Sequence, residues 1–510
     1  MRSFTLRTLA AAAAFITQAT VGSCSDVCDT IESTTNIDVL RPLSLGYQTE
    51  QAAYWSTGAS LMQPSCILTP TTANEVSVIV KALLNSTERF AIKSGGHNPN
   101  NNFSSIQGGP LISTSHLNEV TLDTASQTVR IGPGNRWDDV SAALDGTGYT
   151  AVGGRIGNVG VGGLLLGGGL SFLSTQYGWA ANNVVAFELV LANASIVTVS
   201  QQSHPDLFIA LKGGGNNFGI VTAFTVRAHP QGQVWGGNLF FAATDTTNTA
   251  LLAAARDFTQ YYPDPKAAII VTAEMTAVGT VDSWIMFLFY DGPTPPPGVF
   301  DNFTGAAGVT PLTNTCKTQS YNDFVTANNW AVVKGNVYTI GTETMPLPKV
   351  GSRSAAAAGL EVLESIHSHW RNVSESVLLV PGVISSIAYQ PFPRRFARLA
   401  RSMGGDLYDF DDDVDRIILE FDYSFTLPSD FSTIDQAVQD TYGGFRDRVV
   451  AYTRQGVLPS AYLPLFQNDG YFRQDYFGRL RADRGQLAAR VRDSVDPNGL
   501  WTDRTGGFKI

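Results

Sequence analysis

The sequence predicts an α+β protein with two substantial domains, and three observations support this fold class. The chain has 510 residues, enough to bury a large core but too many for one ordinary domain. From about Pro64 to Pro230, short β-branched runs alternate with helical stretches and many glycine turns. From Trp235 to about Ser460 the glycine density falls and aromatic-rich strands follow. This second part is expected to form its own domain.

Individual strands can be assigned within both parts. Residues 128–131 and 196–199 are β-branched runs that predict strands in the first part. Residues 283–290 and 417–425 are aromatic-rich runs that predict strands in the second part.

Two helices carry clear terminal signals. One is expected to begin near Asn74, with Asn74 and Glu75 as its cap and first turn. Its predicted buried positions are Val76, Ile79, Val80 and Leu83. Another helical pattern passes through Leu480, Leu487 and Val491, and it should stop before Asp496 because Pro497 cannot continue a helix.

The first 23 residues have the pattern of a secretory signal peptide, with Arg2 and Arg7 before an apolar run at residues 9–16 and small residues after it. That run is too short to span a membrane, so the mature protein is expected to be secreted, with no membrane partner. Glycosylation is expected at some of five Asn-x-Ser/Thr sequons: Asn85, Asn102, Asn193, Asn302 and Asn372. A net charge of -10 argues against a nucleic-acid partner.

The four cysteines, Cys24, Cys28, Cys66 and Cys316, are too few and too scattered for a disulfide-built fold. No second metal-binding pair follows Cys24 and Cys28, so a zinc site is not expected. In an oxidising compartment the preferred pairing is Cys28 with Cys66, which would join the mature N-terminus to the body. A bridge through Cys24 and buried free thiols remain the alternatives.

Glycine is concentrated in three clusters, at residues 94–97, 153–169 and 213–221. Glycine lets backbone N–H groups approach an anionic ligand closely, so the clusters predict one extended ligand that bears phosphate; tight turns are the alternative. The chain has no G-x-x-x-x-G-K-[ST] phosphate loop, no H-E-x-x-H helix and no G-x-S-x-G elbow. Its near match to a dinucleotide fingerprint, at residues 146–151, follows a helical stretch instead of a strand.

The glycine clusters also carry a family resemblance. Residues 93–97 (Lys-Ser-Gly-Gly-His), 159–163 (Val-Gly-Val-Gly-Gly) and 211–222 resemble the FAD-binding half of the vanillyl-alcohol-oxidase superfamily, most closely fungal FAD-linked oxidoreductases of its berberine-bridge-enzyme-like branch. The likeness covers about residues 60–232. It resumes in the C-terminal segment at Asn468, Asp469, Tyr476, Asp496, Pro497 and residues 506–510.

The resemblance implies a PCMH-type FAD-binding domain of two α+β subdomains, and a substrate domain with an antiparallel sheet flanked by helices. After the signal peptide at residues 1–23, residues 24–61 should pack on the FAD-binding domain at residues 62–232. Residues 233–460 should form the substrate domain, and residues 461–510 should return to the FAD-binding domain.

The resemblance also implies roles for residues. His97 matches the histidine that bonds to the 8α-methyl group of FAD, whereas Ile156 stands where many relatives have a second attaching cysteine. A single covalent link is therefore expected. Val159 is the expected oxygen gate, and Tyr389 and Tyr462 are candidates for the catalytic base. The residues expected to bind FAD are Ser94, Gly95, Gly96, His97, Asn98, Gly154, Gly157, Gly160, Val161, Gly162, Gly163, Gly219, Ile220, Val221 and Asn468.

The expected activity is oxidation, or oxidative cyclisation, of a small secondary metabolite by a monomer, with O2 regenerating the flavin. A carbohydrate oxidase and a flavin-containing cyclase without net redox change are the alternatives. His367 and His369 have no partner cluster in the sequence and are interpreted as a solvated or packed pair. The acidic run at residues 406–415 lacks the glycine and glutamate of a calcium loop and is interpreted as a solvated turn.

Overall fold

The structure is a computed structural model that describes residues 26–262, 264–276, 282–305, 308–349 and 353–510. The predicted signal peptide and Cys24 lie outside the described residues. Three sheets organise the fold, and the strand order of each sheet follows from its hydrogen-bonded neighbours.

The first sheet has four strands in the order β1-β2-β4-β3, with β1 antiparallel to β2 and the other pairs parallel. Its strands are β1 (Asp38–Leu40), β2 (Cys66–Thr69), β3 (Ala91–Lys93) and β4 (Pro110–Ser113). The helices of this region are α1 (Asp26–Thr34), α2 (Leu45–Ala52), α3 (Thr57–Ser60) and α4 (Ala73–Leu84).

Helix α4 buries its four predicted apolar positions, which confirms its amphipathic pattern. The predicted cap, however, was misplaced. The helix is capped by Thr72, whose hydroxyl accepts a hydrogen bond from the backbone N–H of Glu75 at 3.2 Å. A threonine hydroxyl can satisfy a free N–H of the first turn from this position, so Asn74 lies inside the helix.

The second sheet is antiparallel, with the order β5-β6-β10-β8-β9 and β7 paired to β10. Both strands predicted here are confirmed, and β9 is one residue longer than predicted. The strands are β5 (Val120–Asp123), β6 (Thr128–Ile131), β7 (Tyr149–Ala151), β8 (Val184–Val190), β9 (Ile196–Ser200) and β10 (Ile220–Pro230). The helices are α5 (Trp137–Leu144), α6 (Val161–Leu166), α7 (Ser174–Tyr177) and α8 (Pro205–Ala210).

The third sheet has eight antiparallel strands in the order β14-β11-β13-β12-β17-β18-β16, with β15 also paired to β11. These are β11 (Val234–Ala242), β12 (Ala267–Thr276), β13 (Asp282–Tyr290), β14 (Thr313–Asn314), β15 (Lys317–Gln319), β16 (Val337–Pro346), β17 (Ile384–Phe392) and β18 (Arg416–Phe425). The helices of this region are α9 (Asp245–Tyr261), α10 (Tyr321–Ala327), α11 (Arg353–Ser376), α12 (Arg395–Ser402) and α13 (Phe431–Arg454).

Helices α9, α11 and α13 pack on one face of the third sheet, and their apolar side chains form a single core with it. Because successive strand residues point to opposite faces, every second residue of the central strands enters this core. In β12 these residues are Ile269, Val271, Ala273 and Met275. The residues between them face the other side of the sheet, where the candidate site lies.

The C-terminal helix α14 (Ala482–Val495) packs on α8 in the region of the second sheet, and α15 (Leu500–Arg504) packs beside the first sheet. Helix α14 ends before Asp496 as predicted, although Leu480 precedes it. The Asp496 carboxylate accepts hydrogen bonds from the backbone N–H groups of Leu500, Trp501 and Thr502, which begin α15. Arg504 then donates to the backbone carbonyls of Leu83 and Glu88 beside the first sheet.

The acidic run is not a solvated turn, contrary to the prediction. Asp406 is buried, and its carboxylate accepts hydrogen bonds from Asn182 Nδ2 and from the backbone N–H of Asp409, both at 3.0 Å. Tyr408 is also buried and stacks on Trp179 at a centroid distance of 5.3 Å. A carboxylate supplied with donors in this way can be buried.

Several features linked to export lie within the described residues. The five sequon asparagines are all exposed. Cys28 and Cys66 form the predicted disulfide, which joins α1 to β2, and Cys316 is a free, half-buried thiol. Among the described residues, none of the helices combines the length and apolar character needed to cross a membrane.

The disulfide should stabilise the fold by restricting the unfolded chain. Its two cysteines are 38 residues apart, so the loop-entropy model assigns it about 3 to 4 kcal/mol of the free energy of unfolding. We expect Cys66→Ala to lower the free energy of unfolding by about that amount in chemical denaturation. Cys316→Ser keeps the bridge and is the matched control. Equal unfolding midpoints for wild type and Cys66→Ala would contradict the prediction.

Candidate functional site

A cavity of about 440 Å³ lies between the glycine-rich loops of the first two sheets and the face of the third sheet opposite α9, α11 and α13. All three glycine clusters contribute to its walls. Twelve of the residues predicted to bind FAD line it: Ser94, Gly95, Gly96, His97, Asn98, Gly160, Gly162, Gly163, Gly219, Ile220, Val221 and Asn468. Gly154, Gly157 and Val161 do not line it, since Gly154 packs on Trp137 and Val161 lies in the core.

Two of the glycine clusters meet backbone against backbone. A Cβ atom on Gly95 would lie 2.5 Å from the Cα of Gly160, and one on Gly160 would lie 2.6 Å from the Cα of Gly95. Gly96 has a φ of +66°, which also favours glycine. This contact joins the His97 loop and the loop before α6 into one wall of the cavity.

His97 lies in this wall with its imidazole stacked on Trp55, at a centroid distance of 4.5 Å and an interplanar angle of 16°. Its Nε2 atom is buried and has no hydrogen-bond partner within the described chain. Burial, followed by the nearby positive charges of Arg136 and Lys334, lowers the pKa of His97 to about 3. The imidazole is therefore neutral at ordinary pH.

Residues near the C-terminus complete the cavity. Asn468 accepts a hydrogen bond from the backbone N–H of Gly169 at 3.0 Å and donates to the carbonyl of Gly163 at 3.1 Å. Asn217 donates to the carbonyl of Phe508 at 2.9 Å, and Phe508 lines the cavity.

A row of polar side chains on the third sheet faces the glycine-rich wall. Glu274 on β12 pairs in register with Ser386 on β17, which pairs with Asp422 on β18, and all three line the cavity. Glu420, two residues from Asp422 on β18, points to the same side, and Asp469 joins from the C-terminal segment. These carboxyl groups were missed in the sequence because strand register, which is not visible there, brings them together.

Burial raises the pKa values of the carboxyl groups in this row. Burial and the nearby charge of Glu274 raise the pKa of Asp422 to about 7, against a hydrogen bond from Ser386. Burial also raises the pKa of Asp469 to about 6, and it raises the pKa of Glu420 well above its usual range, helped by the charges of Asp469 and Asp422. Asp422 and Asp469, with pKa values of about 7 and about 6, exchange protons near neutral pH, as general bases must.

Arg155 is the one Lys or Arg side chain among the described residues that line the cavity. Its guanidinium donates to the side-chain oxygen of Gln390, and the Gln390 amide donates to Asp469 at 3.0 Å. Arg155 thereby places a positive charge beside Asp469 and Glu420.

The two tyrosines predicted as base candidates do not line the cavity. Tyr389 is buried on the helix-covered face of the third sheet, where its hydroxyl lies 3.1 Å from His367 Nδ1. It alternates with Ala388, which faces the cavity. The hydroxyl of Tyr462 donates to the carbonyl of Tyr408 at 2.8 Å. The carboxyl groups described above, unlike these two tyrosines, do line the cavity.

Of the four other positions singled out in the sequence, two line the cavity and two lie outside it. Ile156 and Val159 both line the cavity, and Ile156 also packs beside Trp55. His367 is buried against Trp284, and the ring of His369 bonds to the carbonyl of Asp440. Within the described ranges, no three His, Cys, Asp or Glu side chains form a group that could hold a metal ion.

Comparison with known proteins adds family evidence. Residues 64–200 match a family model described as an FAD binding domain. The chain is 43% identical over 482 residues to an FAD-linked oxidoreductase of Arthroderma benhamiae described as uncharacterized, covering 93% of each protein. It is 30% identical over 474 residues to an FAD-dependent monooxygenase of Aspergillus calidoustus, covering 91% of this chain and 86% of that protein.

Solved structures share the fold at low sequence identity. Berberine bridge enzyme from Eschscholzia californica superimposes with a TM-score of 0.72 at 17% identity, covering 95% of this chain and 98% of that one. Xylooligosaccharide oxidase from Myceliophthora thermophila, solved with xylobiose, gives a TM-score of 0.72 at 18% identity, covering 95% of this chain and all of that one.

The residues of the cavity fit an FAD molecule. The glycines supply a wall without side chains, and a Cβ atom on Gly163 would project into open space. The unpartnered Nε2 of His97 leaves a neutral imidazole beside that space. A neutral imidazole is a competent nucleophile toward an electrophilic carbon.

Proposed function

The chain belongs to the family of FAD-linked oxidoreductases and has the fold of berberine bridge enzyme, and from this premise we propose that it is a secreted oxidase that takes a hydride from a small organic substrate. In this proposal His97 holds FAD by a single covalent bond. Ile156, which has no nucleophilic atom, leaves the second attachment position unused.

One observation carries the proposal: a single cavity has a neutral, unpartnered imidazole in its glycine-rich wall and carboxyl groups with raised pKa values in the opposite wall. The glycine-rich wall would hold FAD through His97 and the backbones of residues 95–96, Gly160, Gly162 and Gly163, with Asn468 fixing the loop at Gly163 and Gly169. Bound FAD supplies an acceptor for the substrate hydride and passes the electrons to O2.

Asp422 is the best-placed proton acceptor for the substrate. The hydrogen bond from Ser386 orients its carboxylate, and its pKa of about 7 leaves a large ionised fraction at neutral pH. The positive charge of Arg155 acts on Asp469 and Glu420, whereas Asp422 does not feel it. Asp469 and Glu420 are therefore better suited to orient a substrate than to take its proton.

Export is supported by the Cys28–Cys66 disulfide and by the exposure of all five sequon asparagines. Oxidation of a secondary metabolite is favoured by the resemblance to fungal enzymes of that kind. The resemblance assigns control of the reaction between reduced flavin and O2 to Val159, and Val159 lines the cavity.

A carbohydrate oxidase is the second candidate. The Trp330 indole lines the cavity, is 42% exposed and lies parallel to Phe287 at 6.0 Å, so it offers the flat surface on which a sugar ring can stack. The fold shared with xylooligosaccharide oxidase agrees with this reading. A substrate panel that includes xylobiose and aromatic alcohols separates the two candidates by bleaching of the flavin and release of hydrogen peroxide. Substrate conversion without peroxide would indicate a cyclase without net redox change.

The attachment residue can be tested without a substrate. Wild-type protein precipitated in acid should remain yellow, because a covalent bond survives denaturation, whereas His97→Ala should release all of its flavin. Ile156→Ala should behave as wild type and is the control. Complete release of flavin from wild type, or retention by His97→Ala, would defeat the assignment.

The proton acceptor should show itself in the pH dependence of flavin reduction. With any substrate from the panel, the wild-type rate should rise as pH increases through about 7, because Asp422 becomes a base as it loses its proton. Asp422→Asn should lower the rate by about 10²- to 10⁴-fold and remove that rise. Glu274→Gln, on the other side of Ser386, should keep the rise but move it to lower pH, since one neighbouring negative charge is lost. An unchanged rate in Asp422→Asn would exclude this residue as the base.

The oxygen gate can be measured separately from substrate oxidation. Val159→Leu adds one methylene to a wall of the cavity, and packed sites respond to changes of that size. We expect reoxidation of the reduced flavin to slow about tenfold or more, about 1.4 kcal/mol in the barrier, while the amount of bound flavin stays the same. Stopped-flow mixing of photoreduced protein with aerated buffer gives this rate directly. Equal rates in both proteins would refute the gate.

A further inference from the structure

Arg136, the residue that precedes α5, connects three separate segments of the chain. Its guanidinium donates to the carbonyl of Gly95 at 2.7 Å and to the carbonyl of Ala53 at 2.9 Å. It also donates to the side-chain oxygen of Asn158 at 2.9 Å and to the backbone carbonyl of the same residue. A planar guanidinium can hold several acceptors at once in fixed directions.

Each of these three segments leads to His97 or to the loop that carries it. Ala53 lies two residues before Trp55, the indole that stacks on His97, and Gly95 lies two residues before His97 itself. Asn158 lies two residues before Gly160, which touches Gly95. Arg136 therefore fixes the indole, the histidine loop and the glycine loop relative to one another.

The main chain around Arg136 reinforces this arrangement. Arg136 forms an isolated antiparallel bridge with Gly160. On either side of it, the N–H of Trp137 donates to the carbonyl of Val159, and the N–H of Val161 donates to the carbonyl of Asn135, both at 3.0 Å. The guanidinium thus has little freedom to move away from the His97 loop.

The charges that face His97 are positive. Arg136 and Lys334 both act on the ring, whereas Lys93 beneath the loop is paired with Glu50 at 2.5 Å. The tyrosines of this region, Tyr54 and Tyr338, have raised pKa values and stay neutral. A positive charge on the His97 ring is opposed by both burial and these cations.

We propose that Arg136 is a positioning residue for the covalent attachment of FAD to His97, an inference that rests on the function proposed above. Its hydrogen bonds fix the three segments around the imidazole, and its positive charge opposes protonation of the ring. A protonated imidazole has no free electron pair with which to form the new bond.

The chemistry that Arg136 would assist is a balanced oxidation. One bond forms between an imidazole nitrogen of His97 and the 8α carbon of FAD. One C–H bond of the methyl group and the imidazole N–H are lost as two protons. The two electrons left on the flavin, with two protons, reduce O2 to hydrogen peroxide, so O2 is the required oxidant.

The test compares purified Arg136→Gln with wild type and with Arg130→Gln. Arg130 is a matched control because it is a partly exposed arginine of β6 that pairs with Glu119 and does not line the cavity. Protein produced under riboflavin limitation is mixed with FAD and O2 at pH 4 and at pH 7. Two quantities are followed: total bound flavin, and the fraction that stays with the acid precipitate.

We expect Arg136→Gln to bind FAD but to attach it about tenfold or more slowly than wild type at pH 7, because small misplacements of reacting groups have effects of that size. At pH 4 its rate relative to wild type should fall further, by about twofold or more, because loss of the cation raises the pKa of His97. Arg130→Gln should match wild type at both pH values.

An attachment rate in Arg136→Gln equal to that of wild type would overturn the proposal. The proposal would also be overturned if the ratio of the two attachment rates, variant to wild type, were the same at pH 4 and at pH 7, because that result indicates a structural role alone. If Arg136→Gln binds no FAD, Arg136→Lys decides. Attachment by Arg136→Lys about threefold or more slower than wild type at equal flavin content supports the proposal. A wild-type rate, or loss of FAD in both variants, overturns it. Release of flavin from wild-type protein in acid would instead refute covalent attachment itself.

Discussion

The close approach of Gly95 to Gly160 is the constraint on which the site depends. No side chain can stand between the two backbones, since a Cβ atom on either one would overlap the other. Because the two loops touch, they form one wall of the cavity, in which the Nε2 atom of His97 is buried. Burial and the neighbouring cations keep the imidazole neutral. The density of glycine in this sequence thus follows from a packing requirement as much as from the need to reach a ligand.

The third sheet serves two purposes because its strands alternate. One set of positions packs against α9, α11 and α13 and supplies apolar burial, as Val271, Ile387 and Phe421 do. The other set places Thr272, Ser386 and Asp422 in the cavity. Apolar residues such as Ile270, Phe287 and Ile418 are buried on this second face as well. The carboxyl groups among them need not contribute to stability. Their burial has a cost in free energy that is visible in their raised pKa values.

Features encoded by neighbouring residues could be predicted from the sequence. The strands at residues 128–131 and 417–425, the buried face of α4 and the placement of His97 in the cavity are of this kind. The Cys28–Cys66 pairing was also predicted correctly. In that case the expected oxidising compartment and the presence of only four cysteines left few possible disulfide pairings.

Features that depend on distant segments could not be predicted. The row from Glu274 through Ser386 to Asp422 exists only because β12, β17 and β18 pair in one register. The face of the sheet on which Tyr389 points is likewise not visible without that register. Asp406 is buried because Asn182, more than 200 residues earlier, supplies a donor. In each case the deciding neighbour lies elsewhere in the chain.

The contact between Asn217 and Phe508 spans 291 residues of sequence and has a consequence for biogenesis. Translation must reach Phe508 before this side of the cavity can form. The complete cavity therefore forms only in the compartment where both segments have folded together. For a protein threaded through a translocon as an unfolded chain, that order of events requires a supply of free FAD on the far side of the membrane.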